Sequence, residues 1–315
     1  MSKDINRYSH SRLSTFKQCP RKHMYAYIEG IETPENEFTI PGKMFHECVE
    51  LTLKGEDCTP VTDEFKKLCM TGKLPYEPDQ LEYSVSMYFR YWAKEYSMEQ
   101  NLLCEQEFRE PLDGDDFIIG FIDAVYETEG HVGIRDMKTT VNKLKYTYDD
   151  VLYNEQLLLY IPFAEAILNR KIQTKQIDEI RLAKLKPVPL LKNGKPAKDK
   201  ASLELVTYED YYNALYEQGL ENEAEYQSIL QFLEERGHPL FRRTTVQILD
   251  DKLVETNAED ILKTYHASTN EEATYRVKGP LCNYCAYKEL CHLDLTVPSE
   301  ASREIIIEKI KGNIK

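Results

Sequence analysis

The sequence predicts an α/β fold, a small strand-rich core with helical additions. Three observations carry that expectation. Apolar residues recur at helical spacing over 79–100, at Leu81, Val85, Tyr88, Phe89 and Trp92. Three short β-rich runs follow, separated by turn residues. Helical patterning then returns over 149–169.

In chain order, residues 8–29 read as helix, with Ser14 placed to cap Thr15 onward and with Phe16, Tyr25, Tyr27 and Ile28 as apolar positions. Helices are expected over 43–54, after Pro41-Gly42, and over 62–70 and 79–100. Leu102–Pro111, Phe117–Glu127 and Val132–Lys138 read as an antiparallel meander turned at Asp113-Gly114 and Glu129-Gly130. The helix over 149–169 contains Pro162, which should kink or break it. Ile177–Leu185 reads as a further strand, and Asn193-Gly194 as a tight turn. Helices over 207–236 and 258–266 and a tail helix over Ser299–Lys311 complete the pattern. Four stretches of one compact domain follow: helical 1–100 with Cys19 and His46; the core sheet and helix, 101–190; a basic hairpin, helices and a Cys loop, 191–292; and the tail helix, 293–315.

The 315 residues are 42% hydrophobic and 30% charged, with 14 Pro and 13 Gly, an ordinary globular composition. No apolar run approaches the ~20 residues of a membrane helix. The N-terminus has no apolar segment behind it, so a cytoplasmic protein is expected. Forty basic residues against 54 acidic give −14. That balance disfavours a protein that merely coats nucleic acid, and leaves room for an enzyme with a local positive groove. Eight Cys without a secretory signal argue for buried thiols or metal ligands rather than disulfides.

Asp123 interrupts the run Ile118-Ile119-Gly120-Phe121-Ile122-Asp123-Ala124-Val125, which is apolar on both strand faces. A carboxylate there needs backbone donors or a cation. Asp136 and Lys138 share a face of the next strand, which the Gly130 turn should pair with the first. Two neighbouring carboxylates repel, and a hard divalent cation relieves that repulsion. Taken alone, Asp-x-Lys is equally an edge ion pair. His46 follows Gly42 at a helix start, and Gln156 and Tyr160 lie four apart on one helix face. Cys282-x2-Cys285-x5-Cys291 gathers three thiols, for which Cys19 is the best fourth. Such a set holds zinc or an iron–sulfur cluster, and spacing does not choose between them.

Taken in order, these residues resemble the PD-(D/E)xK nuclease superfamily, in particular its RecB-like exonuclease group with a four-cysteine iron–sulfur cluster, which includes AddB-type nuclease domains and CRISPR-associated exonucleases. The matching stretches are Ser11–Pro20, Gly42-x3-His46, Gly120-Phe121-Ile122-Asp123, Asp136-Met137-Lys138, Gln156-x3-Tyr160 and the three late cysteines. The resemblance implies a restriction-endonuclease-like core, a mixed central sheet flanked by helices, with a C-terminal iron–sulfur region. It implies Mg²⁺ or Mn²⁺ held by His46, Asp123, Asp136 and the Met137 carbonyl. Lys138 would be the catalytic lysine, supported by Gln156 and Tyr160, and Cys19, Cys282, Cys285 and Cys291 would hold a [4Fe–4S] cluster. The substrate implied is DNA, in the cytoplasm of a bacterial, archaeal or phage-infected cell. No G-x4-G-K-[ST] phosphate loop occurs, so a stand-alone nuclease is expected rather than a helicase–nuclease subunit. Residues 181–200 carry seven basic residues and one acidic, and Lys192, Lys195, Lys198 and Lys200 are expected to reach DNA phosphates from a projecting hairpin. The alternatives are a catalytically silent nucleic-acid-binding module and a zinc-bound partner-binding protein.

Overall fold

A computed structural model of the chain describes residues 6–37, 39–248, 250–270, 272–296 and 299–312. The described residues open with a two-residue strand, β1 (Arg7–Tyr8), whose Tyr8 was expected to be helical. Ser9, not Ser14, caps the helix that follows: its hydroxyl accepts from Arg12 N–H at the start of α1 (His10–Gln18). Cys19 is extended at φ −165°, because Pro20 restricts the residue before it. Pro20 then starts α2 (Pro20–His23), which runs into a π-helical turn at Met24–Ile28.

Helices α3 (Thr39–Leu53), α4 (Thr59–Met70), α5 (Gln80–Tyr91) and α6 (Ala93–Met98) come next. Pro41 and Gly42 lie inside the first turn of α3 rather than before it. The expected 79–100 helix divides at Trp92. The meander follows as expected: β2 (Gln100–Pro111), β3 (Phe117–Thr128) and β4 (His131–Thr140). The 149–169 helix is two: α7 (Tyr148–Leu152) and α8 (Glu155–Leu168). The break falls at Tyr153-Asn154, where the Asn154 side chain caps α8, and α8 runs on through Pro162. Strand β5 is Thr174–Arg181, three residues earlier than the apolar run suggested. The 207–236 helix also divides, into α9 (Tyr208–Tyr216) and α10 (Ala224–Arg236), with Gly219 at φ 68° in the turn between them. A sixth strand, β6 (Phe241–Gln247), was not expected. Helix α11 (Lys252–Ser268) has 17 residues where 258–266 was foreseen; α12 (Lys288–Leu293) and α13 (Glu300–Ile310) end the described chain.

The sheet is mixed, in the order β1-β3-β4-β5-β6, with β2 also on β3. The β4–β5 pair is parallel, joined by the α8 crossover, and the β5–β6 pair antiparallel. One face carries Ile134 and Ile177 against Leu157, Leu158 and Ile161 of α8 and Ile261 of α11. The other carries Met137, Ile180 and Phe241 against Phe45 and Val49 of α3 and Leu81 and Tyr88 of α5. This is a restriction-endonuclease-like α/β core.

The position of the site follows from how β3 is shared. Strand β2 lines one edge from end to end. The other edge meets β1 only at Phe117 and Ile118 and β4 only from Ala124 to Thr128. Between those contacts residues 119–123 face a fork, and Asp123 stands at its corner. Gly120 lies in the fork because Phe108 and Tyr160 press onto the strand: a Cβ there would sit 2.5 Å from the Phe108 ring and 2.9 Å from that of Tyr160.

Among the described residues, no helix is long and apolar enough to cross a membrane.

Candidate metal centre and active site

The β3–β4 register ends with Ala124 opposite Arg135, and one step further stand Asp123 and Asp136. Both are buried. Asp123 Oδ2 accepts the Met137 backbone N–H at 2.8 Å, which fixes one carboxylate across the mouth of the fork. Lys138 Nζ lies 2.8 Å from Asp136 Oδ2 and donates to Gln156 Oε1 at 2.8 Å, and Gln156 Nε2 donates to Tyr160 Oη at 3.4 Å. The strand pair and the first turns of α8 thus hold one polar chain, Asp136–Lys138–Gln156–Tyr160. It opens on a cleft of about 580 Å³ walled by Ser14 and Thr15 of α1, Tyr146, and Asn154.

From the opposite side α3 brings His46, whose Nδ1 stands 3.5 Å from Asp123 Oδ2 and 3.8 Å from Glu105 Oε1. Glu105 was not expected from the sequence. It sits in β2 at φ 45°, a left-handed backbone uncommon for a non-glycine residue in a strand. His46, Glu105 and Asp123 bring their ligand atoms within 4.8 Å of one another, close enough to hold one ion. His46 and Glu105 border a second cleft of about 370 Å³ with Gly42, Lys43 and Glu50.

The electrostatics fit a cation. Three carboxylates, Glu105, Asp123 and Asp136, face one ammonium, Lys138. With His46 neutral the surplus is two negative charges, which a divalent ion cancels. Glu105 Oε1 is buried with no hydrogen-bond donor, and Asp136 Oδ2 has the Lys138 ammonium beside it but no aligned hydrogen bond. Burial pushes the Asp136 carboxyl up to about 6; Lys138 opposes that, and Asp123 adds to it. Asp123 is raised by burial, against the pull of His46. Burial lowers His46, but the neighbouring carboxylates of Glu105 and Asp123 outweigh it, so the imidazole titrates above its usual value. Lys138 follows the same pattern: burial lowers it and Asp136 more than restores it. Imidazole with carboxylates is a donor set that suits Mn²⁺ as well as Mg²⁺.

The four cysteines come together at the other end of the chain's path. Cys19 Sγ accepts the Val277 N–H at 3.5 Å, and Cys282 Sγ reaches the Val277 carbonyl at 3.7 Å. Cys285 and Cys291 pack against Tyr25, Ile31, Tyr287 and Leu290. Burial raises the Cys291 thiol, and Cys19 and Cys285 stand close enough to contribute. The thiols are neighbours, but they are not among the groups compact enough for a single ion.

The basic segment does not project. Its tip turns at Gly194, φ 80°, and the Gln218 side chain holds the Gly194 carbonyl beside the end of α9. Ala197 is buried, and the Tyr211 hydroxyl donates to its carbonyl. Lys198 pairs with Glu225 at 2.7 Å, and Lys200 lies 4.6 Å above the Phe232 ring. Lys192 and Lys195 are exposed.

A two-carboxylate, one-lysine centre in the fork of a mixed sheet defines a class, the metal-dependent phosphodiester hydrolases of restriction-endonuclease-like fold. The family model of the PD-(D/E)XK nuclease superfamily matches residues 7–292, and the chain belongs to that superfamily. Its members are nucleases that use divalent metal ions. No curated protein matches the chain.

Proposed function

We propose that this protein is a Mg²⁺- or Mn²⁺-dependent DNA exonuclease of the RecB-like group, stiffened by a structural [4Fe–4S] cluster. The observation that carries the reading is the hydrogen-bonded chain Asp136–Lys138–Gln156, which ends on an open cleft, with the Asp123, His46 and Glu105 cluster behind it. An ion held by His46, Asp123, Asp136 and the Met137 carbonyl, with Glu105 beside it, would supply Lewis-acid charge and an activated water. Lys138 acts as a cation rather than a base: Asp136 keeps it protonated, and Gln156 aims it at the cleft where a phosphate would sit. The Tyr160 ring, wedged against Gly120, fixes the face of α8 that carries Gln156. Lys192 and Lys195 remain free of ion pairs among the described residues and extend the positive surface for DNA.

The cluster reading rests on the neighbourhood of Cys19, Cys282, Cys285 and Cys291, which ties α1 to the C-terminal segment. Anaerobically purified protein should absorb broadly near ~400 nm and carry iron and sulfide. Stoichiometric zinc without sulfide would replace the cluster with a zinc site. The activity test is digestion of end-labelled linear and covalently closed circular DNA, single- and double-stranded, with either ion. Release of end label with circles intact establishes an exonuclease. Cut circles correct the mode to endonuclease, and no cleavage of any substrate defeats the reading.

A further inference from the structure

The ends of β5 and β6 border a hollow of about 220 Å³ that the catalytic reading does not use. Lys143, Arg181, Lys200, Arg236 and Arg242 line it, faced by one carboxylate, Glu204. Five cations against one anion leave +4 in a chain whose net charge is −14. His238, also in the wall, is neutral at pH 7, because burial and Arg236 hold its pKa down to about 4.

The cations are not equivalent. Arg236 is committed to structure: its Nη1 donates to the Leu203 carbonyl at 2.8 Å and its Nη2 to that of Val206. Arg181 Nη2 pairs with Glu204 at 3.0 Å, and Lys200 lies on Phe232. Arg242 and Lys143 have no hydrogen bond or ion pair from their side chains among the described residues. Arg242 is half-buried; its register neighbour Glu179 makes no ion pair with it and spends both carboxylate oxygens on the Lys145 and Tyr146 N–H groups, which leaves the guanidinium for another anion.

Register ties the hollow to the active site. Lys138 lies opposite Glu179, and Glu179 opposite Arg242, so the three stand in a row across β4, β5 and β6 on one face. Two strand spacings put the Arg242 backbone about 10 Å from that of Lys138. Glu179 accepts the backbone N–H groups of Lys145 and Tyr146 at 2.8 and 2.9 Å. That pins a loop whose Tyr146 lines the catalytic cleft and whose Lys143 lines the hollow. A separation of about 10 Å is one that a single strand can span between the phosphate at the catalytic cleft and another of its backbone phosphates.

We propose that this hollow is a phosphate subsite, in which Arg242 and Lys143 bind a backbone phosphate of the same nucleic-acid strand whose reacting phosphate lies at Lys138. The proposal rests on the nuclease reading for its substrate. Arg242 offers a planar fork suited to two phosphate oxygens, and Lys143 a point charge at the rim.

The test is binding of a fluorescein-labelled 12-nucleotide single strand in EDTA, so that cleavage plays no part, with inorganic phosphate as a second probe. Lys143→Gln with Arg242→Gln should raise Kd about tenfold at 0.1 M salt. It should also flatten the slope of log K against log salt by about 1.4, at about 0.7 per lost contact. Lys143→Gln alone, at an exposed position that leaves packing untouched, should give about half the slope change. Unchanged affinity and slope in both variants overturn the proposal. So does loss of inorganic-phosphate binding with strand affinity unchanged, which makes the hollow a site for a free anion. Failure of the nuclease reading shows separately, as absence of cleavage by the wild-type protein with Mg²⁺ or Mn²⁺.

Discussion

Two aspartates one strand apart in the same sheet live under opposite electrostatics. Asp136 in β4 and Asp178 in β5 are both buried, at 3% and 0% exposure. Ile177 is registered with Asp136 and Asp178 with Met137, so the two carboxylates point to opposite faces. Asp178 takes Arg243 bidentately at 2.6 and 2.7 Å and the Tyr88 hydroxyl at 2.7 Å, with Arg135 Nε at 3.6 Å. Glu99 completes the set with Arg135 at 2.6 Å, giving two acids and two guanidinium groups. Burial alone would raise Asp178, but Arg135 and Arg243 outweigh it and the pKa is lowered. Asp136 has one ammonium and a second carboxylate nearby, and it is pushed up to about 6.

The difference separates a structural ion network from a functional one. The Asp178 set is closed: charges cancel within the protein, and Arg135 also lies 4.4 Å over the Tyr126 ring. The Asp136 set is open: three acids, Glu105, Asp123 and Asp136, face one lysine, and the charges do not cancel. A network left unbalanced on a cleft is one that a ligand completes.

The same substitution should therefore act oppositely at the two positions. Asp178→Asn leaves two buried guanidinium groups facing one carboxylate, and should cost about 3–5 kcal/mol of stability, read as a lower urea midpoint. An unchanged midpoint would break the contrast. Glu105→Gln sharpens it from the other side. Stability should hold, while Mn²⁺ affinity, measured by calorimetry, drops by about 10–100-fold, as for loss of a supporting group at a metal site. Equal affinity in that variant would remove Glu105 from the centre.

The open network was largely legible in the sequence and the closed one was not. Asp123 stands out in an apolar run, and Asp136, Lys138, Gln156 and Tyr160 fall at strand and helix spacings that place them side by side. Asp178, Arg135 and Arg243 lie 43 and 65 residues apart along the chain, and only the parallel β4–β5 crossover and the unforeseen β6 unite them. Strand β6 escaped because Arg242-Arg243-Thr244-Thr245 looks polar; one face serves the Asp178 network and the other the cationic hollow. Glu105 was missed because nothing in its sequence neighbours marks it; the unshifted β2–β3 register from Leu103 to Pro111 sets it across from Asp123. The basic segment was legible as charge but not as conformation, since its docking depends on contacts with α9 and α10.

Asp136→Asn carries two signs in one variant. Cleavage should fall by more than about 100-fold, because a ligand is lost. Metal-free stability should rise instead, by about 1–2 kcal/mol. A carboxyl displaced from 3.8 to about 6, with the pull of Lys138 already included, stores up to about 3 kcal/mol, of which a buried amide recovers a part. An Asp136→Asn variant less stable than wild type in EDTA would mean that the pair with Lys138 dominates.

The pH profile of that stability gap is the smallest effect and the most specific. Asp136 has a folded pKa above its unfolded one, so between about 4 and 6 the native state binds the extra proton. Stability of the metal-free wild type then rises as pH falls through about 6, and the penalty is fully present above it. His46, also raised, works in the same direction, gaining stability below its unfolded value and losing it as pH rises through the folded one. Asp178 works at the other end: its depressed pKa supplies stability above about 4 that is lost in stronger acid. His46 and Asp178 remain in both proteins, so subtracting wild type from Asp136→Asn leaves mainly Asp136. The gap in urea midpoint should be widest at pH 7.5 and close by about 1 kcal/mol or more on going to pH 5. A gap constant across that range would show that Asp136 does not titrate there, and that its carboxylate is as well compensated as that of Asp178. Adding Mn²⁺ at pH 7.5 should reverse the order, since only the wild type keeps the full acidic set that binding stabilises.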